Sequence, residues 1–514
     1  MEKPNILLIF TDQQRFDAIG AAGNSIIKTP NLDKLAEEGD MFSNCMTPAP
    51  LCQPARACLV SGRSASSIGC LENNIPTNFD VNKALPKQLH DNGYYCQAIG
   101  KMHFSNEPYK VNYGMDNMIL SEETRGVRLA KNKNDIVFDD YDRFLMDNHV
   151  WGWDKPPEIG YNEIKPLLTP LERQYHVTQW CGDQTVRFLQ SIKDKKDPFF
   201  LWTSFVKPHV PYDCPRHLKD MYNPNHMPQP FLSTNDGTRN NQYIQDYREK
   251  NEFNLYSEHA RNLSLSYYYA NISFIDEQIG RILDTLEEIG KKDNTIIIFT
   301  SDHGDLMGDH GLFYKCFGFE GSMHVPLIIR YPGFSEAGRK RNDLVSLLDL
   351  YPTILKAAGL SVEDEDIPGH NLYEKDADHE YVFSEIRYYP LYMCHVRTKK
   401  WKYLFYQNGG VESLYDLEND PYELNDLSSY DKYLSILKEM KAKAEDYLKR
   451  YGGKDGILDE EGHLIMNSYC SEELSYNPYS RMPWDCRIPF SKVKNDNKRT
   501  TFWAENEDWS DKLR

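Results

Sequence analysis

Four short apolar runs recur along the chain, and each ends in a compact group of polar residues. Asn5–Phe10 leads into Thr11-Asp12-Gln13-Gln14-Arg15, and Tyr94–Ile99 into Gly100-Lys101-Met102-His103. Phe199–Phe205 leads into Lys207-Pro208-His209, and Thr295–Phe299 into Ser301-Asp302-His303-Gly304-Asp305. Runs that are apolar at successive positions, and not only at alternate ones, predict strands covered on both faces. The expected fold is therefore α/β, a large and mainly parallel sheet sandwiched by helices. Ligands in such sheets bind outside the carboxyl ends of the strands, so the four polar groups should meet in one crevice.

Helical patterning fills the intervals. Thr29 followed by Pro30–Glu38 and Gly39 has a start signal, a first-turn proline and a stop, and Arg261–Ile289 keeps apolar residues at helical spacing up to Gly290. Beyond about residue 375 the pattern changes to short alternating segments, Tyr381–Glu385, Met393–Val396, Trp401–Tyr406 and Ser413–Leu417, and then a helical stretch, Tyr433–Tyr451. The chain thus divides into a main domain, residues 1–375, and a smaller C-terminal α+β unit, residues 376–514, whose last part from Cys470 onward has no assignable pattern.

Composition narrows the partners. With 59 Lys+Arg against 77 Asp+Glu over 514 residues the formal charge is −18. That field argues against nucleic acid or an anionic membrane surface as a partner, and any anionic substrate must be drawn in by a local positive site. No apolar run approaches the roughly 18 residues of a membrane span. Met1-Glu2-Lys3-Pro4 runs straight into a strand without a signal-peptide pattern, and eleven cysteines fall without a CxxC pair. These features predict a cytoplasmic protein with reduced thiols. Oligomeric state is left open.

The segment Cys52-Gln-Pro54-Ala-Arg56-Ala-Cys58-Leu-Val-Ser-Gly62-Arg63 is the most specific in the chain. Pro54 suits a first helical turn and Gly62 a stop, so Cys52 should sit at a helix N-terminus, where amides and dipole favour an anion. Taken alone, the segment fits an ordinary buried thiol equally well. Asp12, Asp302 and His303, at two strand ends that face one crevice, form a candidate site for a hard divalent cation.

The pattern resembles the signature of the type I sulfatases, Cys-x-Pro-Ser/Ala-Arg followed by Leu-x-Thr/Ser-Gly-Arg, within the alkaline phosphatase-like superfamily. The resemblance extends over about residues 4 to 430. It takes in Asp12, Gly100–His103, Lys207–His209, Asp302–Gly304, Lys315–Glu320, Ser346–Thr353 and Leu414–Pro421. It implies that a maturation enzyme converts Cys52 to formylglycine, and that Asp12, Gln13, Asp302, His303 and the modified residue 52 surround one metal. Ca²⁺ ranks first for that metal. Gln13 and His303 depart from the commonest Asp and Asn of the family, which brings Mg²⁺ or Mn²⁺ into consideration.

Arg56, Lys101 and Lys315 would then neutralise a sulfate, in a chain whose overall field repels anions. By resemblance His209 lies by the leaving-group oxygen, assisted by Lys315, and His103 by the formylglycine diol. Asp305, Asp309 and His310 are expected to shape their loop. The substrate expected is a small sulfated saccharide, glycosaminoglycan-derived sugars first, because segments 104–175 and 211–262 are long insertions rich in Tyr, Trp, Asn and Asp. Those insertions read equally well as structural loops. A phosphonate monoester or phosphodiester hydrolase of the same superfamily, and a noncatalytic glycan-binding relative, are the alternatives.

Overall fold

The four predicted strands are present and lie side by side. In the computed structural model, which describes residues 3–123, 136–152, 163–362, 367–375, 377–388, 391–453 and 456–470, they are β1 (Asn5–Asp12), β3 (Tyr95–Gly100), β6 (Phe199–Pro208) and β8 (Thr295–Ser301). Their neighbours are β2 (Asp40–Met46), β4 (Asn117–Leu120), β9 (Leu327–Arg330) and β10 (Arg339–Ser346), in the order β10-β2-β9-β8-β1-β6-β3-β4. All pairings are parallel except those of β9, which runs antiparallel to both β2 and β8. Every residue of β1, β6 and β8 is buried, as expected for strands covered on both faces.

Three of these strands run beyond their apolar segments into the polar groups. β1 has a strand on each side, with Thr11 opposite Phe205 and Ser301, so its backbone keeps pairing after its side chains turn polar. As a result Asp12 is held inside a strand and not on a loop. The strands missed in the sequence are the partly exposed β4 and β10, the mixed β2, the four-residue β9, and a small parallel ribbon of β5 (Pro166–Leu168) and β7 (Tyr212–Cys214) inside the two insertions.

The helix Pro30–Glu38 forms as expected, and the long helix spans Glu258–Glu288, three residues earlier at its start than the pattern suggested. Ser257 accounts for that start, because its side chain caps the helix by accepting from the Ala260 N–H. The C-terminal unit is an antiparallel sheet of β11 (Val382–Tyr388), β12 (Leu391–Arg397), β13 (Trp401–Tyr406) and β14 (Val411–Asp416), covered by the helix Leu434–Tyr451. Phe383, Tyr403 and Phe405 of the sheet pack with Met440, Ala444 and Leu448 of the helix. Ion pairs tie this sheet to Glu320, which meets Arg397 at 3.1 Å and Lys402 at 3.0 Å, and Lys402 also meets Glu423 at 2.7 Å. Among the described residues no helix is long and apolar enough to cross a membrane.

Candidate active site

The helix Cys52–Ser61 is buried over its whole length and begins at Cys52. It stops at Gly62, whose φ of +68° is the left-handed conformation a glycine adopts freely, with the Gly62 N–H donating to the Cys58 carbonyl. Gln53 N–H, one of the free amides of the first turn, donates to Asn73 Oδ1 at 3.1 Å. Cys52 is thereby fixed at the carboxyl end of the sheet, its Sγ 3.2 Å from His303 Nε2 and 3.6 Å from Asp12 Oδ1.

Asp12, Cys52, Asp302 and His303 each direct one ligand atom to a common point, all within 4.8 Å of one another. His303 Nδ1 lies 2.9 Å from the Gly304 carbonyl oxygen, which only accepts, so Nδ1 carries the proton and the lone pair of Nε2 faces the two carboxylates. Asp302 Oδ1 is held by the N–H groups of Gln13 and His303, at 3.0 and 2.9 Å. Two carboxylates and an oriented imidazole fit a divalent cation. Gln13, at φ +73°, lies beside this group, with its amide donating to Asp305 and its Oε1 accepting from Lys315 Nζ at 2.7 Å.

Three buried cations surround the carboxylates. Arg56 donates through Nε to Asp302 at 3.0 Å, through Nη2 to Asp12 at 3.3 Å and through Nη1 to Ser204 Oγ at 2.9 Å, with its guanidinium over the Phe10 ring. Lys101 Nζ lies 2.8 Å from Asp12 Oδ2 and 2.8 Å from Glu123 Oε2. Gly100, at φ +93°, makes this possible, since a Cβ there would fall 2.0 Å from the Ser204 carbonyl oxygen.

Burial works against the charge of Asp12, yet Lys101, His209, Arg56 and Lys315 outweigh it and hold its carboxyl well below the usual range. For Cys52 burial dominates, reinforced by Asp12, and its thiol is pushed up to about 11. The unmodified side chain is therefore a neutral thiol near pH 7, a weak ligand and a weak nucleophile.

His209 is buried, with Nδ1 2.7 Å from the Val210 carbonyl oxygen and 3.3 Å from Glu123 Oε1. His103 is buried at the same end of the sheet, and the Met102 and His103 N–H groups both donate to Glu122 Oε1, at 2.9 and 2.8 Å. Lys207 turns away to Asp213 and to the carbonyls of His209 and Pro211. Asp305 accepts from Tyr212 at 2.7 Å, Asp309 pairs with Arg15 at 2.7 Å and His310 with Asp236 at 3.1 Å, contacts that order the loop as expected.

Asp12, Gln13, Cys52, Arg56, Lys101, His209, Asp302, His303 and Lys315 thus lie together at one end of the sheet, whereas Leu414–Asp416 belong to the C-terminal sheet. Sequence reasoning missed Glu122, Glu123 and Ser204. Ser204 left a signal, a polar residue inside the apolar run of β6. The two glutamates left none, because they stand next to a charged stretch and resemble its surface residues.

Comparison with known proteins identifies the family of the chain. Residues 4–360 match the sulfatase family model, and residues 308–450 match the model described as N-sulphoglucosamine sulphohydrolase, C-terminal. An arylsulfatase of Clostridium perfringens is 33% identical over 472 residues, covering 87% of this chain and 96% of that protein. An N-acetylglucosamine-6-O-sulfatase of Bacteroides thetaiotaomicron is 28% identical over 536 residues, covering 90% and 89%. The fold is shared with the phosphonate monoester hydrolase of Agrobacterium radiobacter, at a TM-score of 0.72 and 24% identity over 86% of this chain and 94% of that one. It is also shared with a protein solved in complex with its substrate D-glucosamine-2-N,6-O-disulfate, at a TM-score of 0.67 and 24% identity over 88% and 99%. The family match runs through every site residue from Asp12 to Lys315, and the chain belongs to the sulfatase family and is a sulfuric ester hydrolase.

Proposed function

We propose that the enzyme removes sulfate from small sulfated saccharides, glycosaminoglycan-derived sugars first, after a maturation enzyme has converted Cys52 to formylglycine. The observation that carries this reading is the position of Cys52, at the start of a buried helix and 3.2 Å from His303 Nε2, inside a ring of two carboxylates and three cations. The sugar assignment is supported by the N-acetylglucosamine-6-O-sulfatase relative and by the C-terminal family match. Ten described cysteines are free thiols, which supports a reducing, cytoplasmic setting.

Asp12, Asp302 and His303, with the Gln13 amide oxygen and residue 52, would hold one divalent metal, Ca²⁺ first and Mg²⁺ or Mn²⁺ next. When bound, such a cation lowers the charge on a sulfate oxygen and favours the ionised form of the hydroxyl at residue 52. Lys101 and Lys315 place positive charge where the sulfate oxygens gain negative charge. Arg56 locks Asp12 and Asp302 in register with the nucleophilic residue. His209 gives a proton to the departing alcohol oxygen, and His103 takes one from residue 52 as sulfate leaves.

The test is an assay of enzyme shown by peptide mass spectrometry to carry the aldehyde at residue 52. Release of sulfate from defined mono- and disaccharides, with slower turnover of a phosphonate monoester, is the expected result. Preferred turnover of the phosphonate would overturn the substrate class.

A further inference from the structure

Glu123 stands three residues beyond β4, at the sheet end that holds the site, and is buried. Its two oxygens serve different partners: Oε2 lies 2.8 Å from Lys101 Nζ and Oε1 lies 3.3 Å from His209 Nδ1. The same Nδ1 is 2.7 Å from the Val210 carbonyl oxygen. A carbonyl oxygen only accepts, so Nδ1 carries a proton. In the neutral ring Nε2 is then bare, and only the imidazolium can deliver a proton from Nε2.

The groups around His209 act on that imidazolium in opposite senses. Burial opposes it most and Lys315 next, Glu123 favours it, Lys101 opposes it and Asp12 favours it, and the opposing groups prevail, holding His209 well below its ordinary value. Asp12 already lies against Lys101 and Arg56. Glu123 is the carboxylate in contact with the ring.

We propose that Glu123 is a positioning residue for sulfate ester hydrolysis, holding His209 with Nδ1–H toward Glu123 and Val210 and stabilising the cation that protonates the leaving alcohol. This rests on the reading of His209 as the general acid. In that step a hydroxyl oxygen of the hydrated residue 52 forms a new O–S bond and releases its proton to solvent, the S–O electron pair of the bond that breaks goes to the departing oxygen, and the Nε2–H bond breaks as the O–H bond of the alcohol forms. Glu123 stays ionised throughout, and His209 recovers its proton from water.

A different role would have Glu123 only balance the charge of Lys101, which meets the sulfate common to every substrate. The two roles separate by leaving group. General acid assistance is worth about 10²- to 10⁴-fold for a poor leaving group and little for a good one.

The experiment uses the full chain, converted at residue 52 and loaded with metal. Glu123→Gln keeps the shape and removes the charge, Glu123→Asp keeps the charge, and His209→Ala is measured in parallel. For each, kcat/KM is determined on a sugar sulfate and on aryl sulfates of graded leaving-group acidity. Glu123→Gln should lose on the order of 10- to 100-fold on the sugar sulfate and only about 3-fold on nitrophenyl sulfate, part of the assistance quoted above, with a steeper dependence on leaving group. Glu123→Asp should keep the shallow dependence of the wild type, whatever its absolute rate. Retained nitrophenyl sulfate turnover shows that the site is folded in each preparation.

If Glu123→Gln lowers all substrates equally, the proposal is overturned in favour of the Lys101 role. A steepened dependence in His209→Ala but not in Glu123→Gln overturns the Glu123 role alone. If His209→Ala shows no leaving-group dependence, the general-acid reading falls and this proposal with it.

Discussion

Arg56 Nε donates to Asp302 Oδ2 at 3.0 Å, so a residue one turn into the Cys52 helix is bonded to the residue that follows the end of β8. Both side chains have no solvent exposure. The same guanidinium reaches Asp12 at the end of β1, and one side chain therefore sets the spacing of helix, strand and strand on which residue 52 depends. A planar fork with donors at fixed angles can do this, whereas an ammonium group cannot.

Arg56→Ala should therefore be costly in two ways. It strands Asp302 without its arginine partner and leaves Asp12 with Lys101, a loss of about 3–5 kcal/mol in thermal or denaturant unfolding. It should also lower kcat/KM for sugar and aryl sulfates alike, because the groups it holds serve both. Arg56→Lys should recover much of the stability but little of the activity. A loss confined to sugar sulfates would show that Arg56 contacts the leaving group.

The two cysteines of the helix should part company. Cys52→Ala should abolish turnover, and peptide mass spectrometry of coexpressed material should find the aldehyde at residue 52 alone. Cys58, buried in the main core, should remain a thiol, and Cys58→Ala should cost about 1 kcal/mol of stability with activity kept. Normal turnover by Cys52→Ala would exclude a covalent role for that residue.

The apolar runs identified the centre of the sheet because β8, β1, β6 and β3 are adjacent and buried on both faces, the one situation in which periodicity disappears. β10 escaped notice for the opposite reason. It is the edge strand of the sheet, and its Arg339-Lys340-Arg341 start alternates exposed and partly buried positions like any surface segment. Cys52, Asp302 and His303 were legible because they fall in several separated motifs that together resemble the family's pattern, whereas each taken alone reads as an ordinary buried thiol or a strand-end polar residue. Glu123 was not, since it meets His209, 86 residues away in sequence, only through the order of β6, β3 and β4 in the sheet.

Metal content should follow the carboxylates. Asp302→Ala removes an oxygen ligand and also the partner of Arg56 Nε, so elemental analysis should find the divalent metal lost together with turnover. Gln13→Asp adds a carboxylate beside Asp12 and should raise Ca²⁺ occupancy relative to Mn²⁺. The same change gives up the amide bond to Asp305, and a small drop in melting temperature should accompany it. Equal metal in wild type and Asp302→Ala would place the ion elsewhere.

Stability should also carry a pH dependence from a histidine outside the site. His379 Nε2 lies 2.9 Å from Asp349 Oδ1, and its ring stacks on His370 with centroids 4.0 Å apart. Asp349 is further held by the N–H groups of His370, at 2.7 Å, and Ser346, at 2.8 Å. Burial opposes the charged form of His379, but Asp349 and then Asp378 outweigh it and raise the histidine above its ordinary value. A group whose folded value is raised contributes fully below its unfolded value, about 6.5, and that contribution fades as the pH climbs through the folded value. His379→Gln keeps a donor for Asp349 but removes the charge. The melting temperature of the wild type should therefore exceed that of the variant most below about pH 6.5, and the gap should shrink as the pH rises through the raised folded value of His379. A gap that stayed constant across this range would assign the contact to packing and hydrogen bonding alone, and one that widened with pH would mean that His379 is neutral in the folded protein.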